Sequence, residues 1–187
     1  MLRRRDGGGP LGGGGAGGGF GGGGAGPNVY QMRQQMFAIG DDFWIENGAG
    51  QRAFHVDGKA LRVRSTLVLQ SAHGQELFRI QEKLAHIRDT MEIEDGAGTV
   101  ATVKKAMLTP LRERYSVDLR SGGSWEIQGN ITDHEYEITG PGGKVAEVGK
   151  KWFRVRDTYG VEVEPGNDDA LVLAVAIVVD QISHPAR

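Results

Sequence analysis

From Met36 onward the chain is written in short runs that alternate apolar and polar residues, with the two-residue period of a strand buried on one face and wet on the other. Such runs are predicted near Phe43–Glu46, Arg52–Val56, Thr66–Gln70, Glu76–Gln81, Asp89–Glu94 and Thr99–Lys105, then near Arg114–Leu119, Ser124–Gln128, Glu135–Thr139, Lys144–Val148, Trp152–Arg156 and Val161–Glu164. Met91 and Ile93 fall on one face against Thr90, Glu92 and Glu94. Trp125 and Ile127 oppose Glu126 and Gln128, and Tyr136 and Ile138 oppose Glu135, Glu137 and Thr139. Turn chemistry separates the runs at Asn47-Gly48, Asp57-Gly58, His73-Gly74, Asp95-Gly96, Ser121–Gly123 and Gly140–Gly143, as expected for a meander of hairpins. About twelve strands spaced in this way indicate a sandwich or a barrel.

The period breaks at the C-terminal end, where Ala170 to Val179 is apolar at every position. Asn167 is a suitable helix cap and Asp168 and Asp169 complement the positive end of a helix, so the segment reads as α rather than β. A helix apolar all round has no wet face and must be enclosed. Ten residues span only about 15 Å, short of the roughly 20 apolar residues a bilayer crossing needs. The resulting expectation is a mainly β architecture, an antiparallel barrel of about twelve strands closed around a hydrophobic C-terminal helix.

The first 28 residues read as a flexible Gly-rich leader and residues 29–184 as one domain; 15 of the 31 glycines lie between Gly7 and Gly26, where little apolar surface offsets the entropy of ordering. Matches to a dinucleotide-binding glycine fingerprint occur there, without the strand before and helix after that give the motif meaning. Setting aside Arg3, Arg4, Arg5 and Asp6 leaves 19 basic against 23 acidic residues, a net −4, opposite to the sign expected of a nucleic-acid binder. Cysteine is absent, which removes disulfides, thiolate metal sites and cysteine nucleophiles. The leader has no apolar core of the kind a signal peptide carries, so a cytoplasmic location is expected and the Asn130-Ile131-Thr132 sequon reads as chance.

Among candidate chemistries, a three-residue loop at Thr158–Gly160 would set Val155 against Val163, Arg156 against Glu162 and Arg154 against Glu164 in a final hairpin. Lys104, Lys105, Arg112 and Arg114, and Lys150 with Lys151, form basic clusters at strand ends, where several cations can meet one anionic headgroup. Solvated charges that protect sheet edges are the simpler explanation of these clusters. His55, His73, His86, His134 and His184 are scattered, with no pair at ligand spacing, so no metal or cofactor is expected. No nucleophile, base and orienting group occur together, and no catalytic residue is assigned.

The segments GKALR at 58–62, RDTMEI at 88–93, Lys104-Lys105 and above all RVRDTYGVEV at 154–163 before the capped apolar segment resemble the LURP-one-related family. That family groups with tubby C-terminal domains and phospholipid scramblases, and the resemblance spans about Met32 to Ile182. It implies a twelve-stranded barrel around a C-terminal helix, and a non-enzymatic domain that engages anionic phospholipid such as phosphoinositide at a membrane surface. The lipid-binding residues of tubby match no position here residue by residue; the basic clusters themselves make Lys104, Lys105, Arg112, Lys150 and Lys151 the headgroup-binding candidates, with peripheral association with the membrane. In scramblases the segment matching Asp157 to Asp168 is proposed to bind calcium. Here Tyr159, Val161, Val163 and Pro165 supply no carboxylate, too few oxygens for a hard cation. A structural or protein-interaction module on a Gly-rich tether, with protein partners, is the second reading, and a small-ligand carrier the third.

Overall fold

The computed structural model describes residues 26–33, 42–61, 66–82, 90–106, 114–151 and 158–184. Twelve strands run in chain order: β1 (Asn28–Arg33), β2 (Phe43–Asn47), β3 (Arg52–Leu61), β4 (Thr66–Ser71), β5 (Glu76–Glu82), β6 (Thr90–Asp95), β7 (Gly98–Ala106), β8 (Arg114–Leu119), β9 (Ser124–Asn130), β10 (Glu135–Gly140), β11 (Gly143–Gly149) and β12 (Thr158–Val163). One helix, α1, follows over Asp169–Ser183. Each strand pairs antiparallel with its chain neighbours, and β12 closes the barrel on β1. An even strand number allows a simple meander to close with every pair antiparallel, and closure leaves no strand edge to aggregate.

The alternation predicted from sequence is present: Met91, Ile93, Trp125, Ile127, Tyr136 and Ile138 are buried, whereas Glu126, Gln128, Glu135 and Glu137 are exposed. Every strand contributes at least one apolar residue buried to 1 % or less, from Met32 in β1 to Val161 in β12. These residues enclose α1, whose Val172 to Val179 are all fully buried. Fifteen helical residues extend about 22 Å, enough to run from one mouth of the barrel to the other. The upper mouth is where even-numbered strands end and α1 begins; the lower mouth is where odd-numbered strands end and α1 finishes.

Four local expectations are corrected. Thr158, Tyr159 and Gly160 are strand rather than loop: they pair with Arg33, Met32 and Gln31 of β1, and Gly160 also with Gly149 of β11. Tyr159 is fully buried, which an exposed turn forbids, and both edges of β12 are taken. Glu162 therefore faces Val29 and Glu147, and its cation is Lys144, which lies 3.7 Å from Glu162 and 2.7 Å from Glu164. Arg154, Val155 and Arg156 lie outside the described residues. Asp57-Gly58 is no turn: β3 continues through it to pair Leu61 with Thr66, absorbing the extra residues as an irregularity in register. The helix cap is Asp168, whose carboxylate accepts from the Leu171 N–H at 3.1 Å, while Asn167 donates to the Glu164 carbonyl in the preceding turn. Finally, β1 over Asn28–Arg33 is not among the predicted runs, and its Tyr30 and Met32 point into the core.

Candidate functional site

The lower mouth is where polar chemistry is concentrated. All five buried polar or charged residues among the described ones lie there: Thr66, Thr90 and Thr158 open β4, β6 and β12, His134 immediately precedes β10, and Asp180 is in the last turn of α1. Their grouping follows from the chain's construction. The unbroken apolar run of α1 ends at Val179 and Asp180 follows it, although Ile182 still packs against the core.

Asp180 is the centre of this end. Its Oδ1 lies 2.6 Å from His134 Nε2, and both side chains are buried. His184, one helical turn after Asp180, brings Nδ1 to 3.1 Å from the same oxygen, in a geometry too poorly aligned for a full hydrogen bond, with its side chain 27 % exposed. Asp180 Oδ2 and His134 Nδ1 are buried with no hydrogen-bonding partner among the described residues. His134 is held in place from two sides: its ring stacks on Tyr159 at 4.4 Å and lies parallel to His184 at 5.1 Å. Its backbone has φ +56°, the only positive value at a non-glycine position among the described residues. The turn from Ile131 to His134, closed by the His134 N–H donating to the Ile131 carbonyl at 3.0 Å, directs the imidazole to the helix end.

Tyrosines line the surroundings. Burial, and after it the negative charge of Asp180, pushes the Tyr136 and Tyr159 phenols well above their ordinary range, so both remain neutral. Tyr115 shares a 2.9 Å hydrogen bond with Ser183 Oγ, which donates onward to the Val179 carbonyl at 2.6 Å. Lys105 stands 5.8 Å over the Tyr115 ring. Two imidazole nitrogens and a carboxylate oxygen thus lie within 4.8 Å of one another, a donor set for a proton or for a metal ion with affinity for nitrogen.

The residues selected from sequence are distributed differently. Lys104 and Lys105 end β7, and Lys150 and Lys151 follow β11; both pairs therefore belong to the lower mouth, four strands or about 20 Å apart along the wall. Adjacent residues in a strand point to opposite faces, so Lys104 faces outward and pairs with Asp118 at 2.7 Å, while Lys105 turns to the mouth. Lys151 pairs with Glu147, and the Lys150 N–H donates to Glu135 at 3.3 Å. Arg112 lies outside the described residues, as does Asp157; Asp168 serves as the helix cap. Sequence reasoning passed over His134, Asp180 and His184. The spacing of Asp180 and His184 by four residues was a visible signal, since it places both on one helix face.

The LURP-one-related family model matches residues 28–180, which takes in all twelve strands and nearly all of α1. The chain belongs to the LURP-one-related family. Among individual relatives, the protein YxjI of Bacillus subtilis (strain 168), itself uncharacterised, is 30 % identical over 153 residues, covering 82 % of this chain and 92 % of YxjI. An X-ray structure of a protein from Arabidopsis thaliana superimposes with a TM-score of 0.62 at 17 % identity, over 83 % of this chain and 91 % of that one, a likeness of fold. The barrel with its enclosed helix is thus the LURP-one-related, tubby-like architecture. No helix among the described residues is long and apolar enough to cross a membrane.

Proposed function

We propose that this LURP-one-related domain is a non-enzymatic module that engages anionic lipid headgroups, phosphoinositides in particular, at a membrane surface through the lysines of its lower mouth. The supporting observation is topological: Lys104 and Lys105 and Lys150 and Lys151, far apart in sequence, terminate odd-numbered strands and so share one end of the barrel. The ion pairs that engage Lys104 and Lys151 are exposed, and exposed pairs contribute less than about 1 kcal/mol, so a multivalent phosphate headgroup can displace them. Arg112 is assigned to the same surface from sequence. Location in the cytoplasm with peripheral membrane attachment follows from this reading.

Co-sedimentation of the full chain with phosphatidylcholine vesicles, with and without phosphoinositide, tests it. Binding that requires phosphoinositide, weakens as salt rises and drops in the Lys150→Glu/Lys151→Glu variant is expected. Equal, negligible binding to both vesicle types overturns the reading. It would favour a structural or protein-interaction module instead, for which the pairing of Lys104 with Asp118 and of Lys151 with Glu147 is the relevant observation.

A further inference from the structure

We propose that the lower mouth holds a divalent first-row transition ion, Zn²⁺ being the simplest, between His134, Asp180 and His184. Such an ion would join the last turn of α1 to the turn between β9 and β10. The donor set selects the class of metal: two imidazoles and one carboxylate suit zinc, iron, cobalt or nickel, whereas calcium and magnesium require oxygens. Three protein ligands leave a fourth position for water, which the partly exposed His184 side of the site admits.

Besides the convergence of the three donors, the unpaired buried oxygen points to a ligand. Asp180 Oδ2 has no hydrogen-bonding partner among the described residues, although the Asp180 side chain is 1 % exposed. A buried carboxylate oxygen left in that condition is costly, and a cation that the carboxylate grips through Oδ2 as well as Oδ1 removes the cost. The left-handed backbone of His134 is a second local expense incurred to bring an imidazole to this point.

Admitting the ion takes movements of about 1.5 Å or less, the largest being closure of the two imidazole nitrogens, now within 4.8 Å of each other, toward about 3.3 Å. Ligands about 2.0 Å from a tetrahedral ion lie about 3.3 Å from each other, so the His134–Asp180 separation of 2.6 Å must widen by about 0.7 Å and that of His184, at 3.1 Å, by much less. The parallel imidazoles cannot aim in-plane lone pairs at one point, so one ring must turn. His184 is free to do so, because it caps the helix at the surface while His134 is confined by Tyr159.

The test uses the tag-free full chain, stripped with chelator and titrated with Zn²⁺ by calorimetry, with Co²⁺ as a spectroscopic probe. One ion per chain is expected, with visible Co²⁺ bands of a nitrogen-ligated site. Tm should rise by about 5 °C or more at hundredfold excess over Kd, because the ion binds only the folded chain. His184→Ala should weaken Zn²⁺ at least about tenfold and abolish the Co²⁺ bands while the metal-free fold is retained, since this side chain is partly exposed. His184→Gln serves as the second variant if the alanine form is unstable, and His73→Ala, in the exposed turn after β4, should bind as the parent does. Absence of Zn²⁺ binding by the parent, or affinity unchanged in the His184 variants, overturns the proposal. Vesicle binding is measured separately, so either idea can fail without the other.

Discussion

The Tyr30 hydroxyl donates to Asp169 Oδ2 at 2.7 Å, so the first strand and the first turn of the enclosed helix, 139 residues apart, are tied at the upper mouth. Asn28 reinforces the tie by donating its amide to the same oxygen at 2.8 Å. Closure of the barrel and insertion of its helix therefore meet at one carboxylate. Asp169 also sits where a negative charge stabilises the helix start.

Tyr30→Phe should lower unfolding free energy by about 1.5–3 kcal/mol, the usual effect of losing a hydrogen bond to a charged group, as read from urea denaturation at pH 7. The effect should depend on pH. Burial, then the bond to Asp169 and its charge, holds the Tyr30 phenol above its ordinary value of 10.0. Tyrosine is charged only when deprotonated, so the unfolded chain releases this proton first as pH rises. The contribution is complete below pH 10 and is lost progressively above it. A parent protein whose stability declines no faster than that of Tyr30→Phe between pH 10 and 11.5 would contradict this assignment.

Gly129→Ala should destabilise the barrel by about 1–3 kcal/mol from backbone strain alone, before any clash is counted. Gly129 has φ +146°, and a Cβ there would meet the Glu135 carbonyl oxygen and lie 2.6 Å from Tyr136 Cα, both in the backbone of β10. Backbone cannot yield as a flexible side chain can. The check is the denaturation midpoint, and a change within error would show that β9 and β10 are less closely apposed than described.

Arg120→Gln should raise the pKa of Asp95. In the parent the Arg120 guanidinium, reaching from the turn between β8 and β9 to the end of β6, lowers that carboxyl to about 2, with help from the Ala97 N–H. Stability linked to this group is present above the unfolded value of 3.8 and is lost as pH falls toward 2. Carbon-detected NMR titration of the carboxyl should show the variant titrating closer to 3.8, and an unchanged midpoint would remove Arg120 as the cause.

Strand alternation was legible because it is a property of neighbouring residues: Met91 and Ile93, or Trp125 and Ile127, declare their face without reference to any partner. The apolar segment after Asp168 was legible for the same reason, with the cap misplaced by one residue because both Asn167 and Asp168 are competent caps. Tyr159 was misread because Thr158–Gly160 carries the composition of a turn, and only the occupation of both edges of β12 by β1 and β11 shows that the chain continues straight. Likewise, Tyr30 and Met32 alternate in β1, but the run is short and adjoins a Gly-rich stretch.

The lysine pairs and the histidine cluster divide the same way. Lys104 and Lys105 are recognisable as strand-end charges, yet their opposite orientations emerge only when β7 is placed in the wall. His134 and His184 are separated by 50 positions, a distance across which no local pattern operates. The sequence by itself determined the period of the strands, the enclosure of the helix and the family, since these rest on local composition and on what an all-apolar helix must avoid. The tertiary structure alone decided which strands adjoin, where the barrel closes and which polar groups share a mouth. Those outcomes depend on contacts between residues far apart in the chain, made only when α1 fills the barrel and its final turn delivers Asp180 to His134.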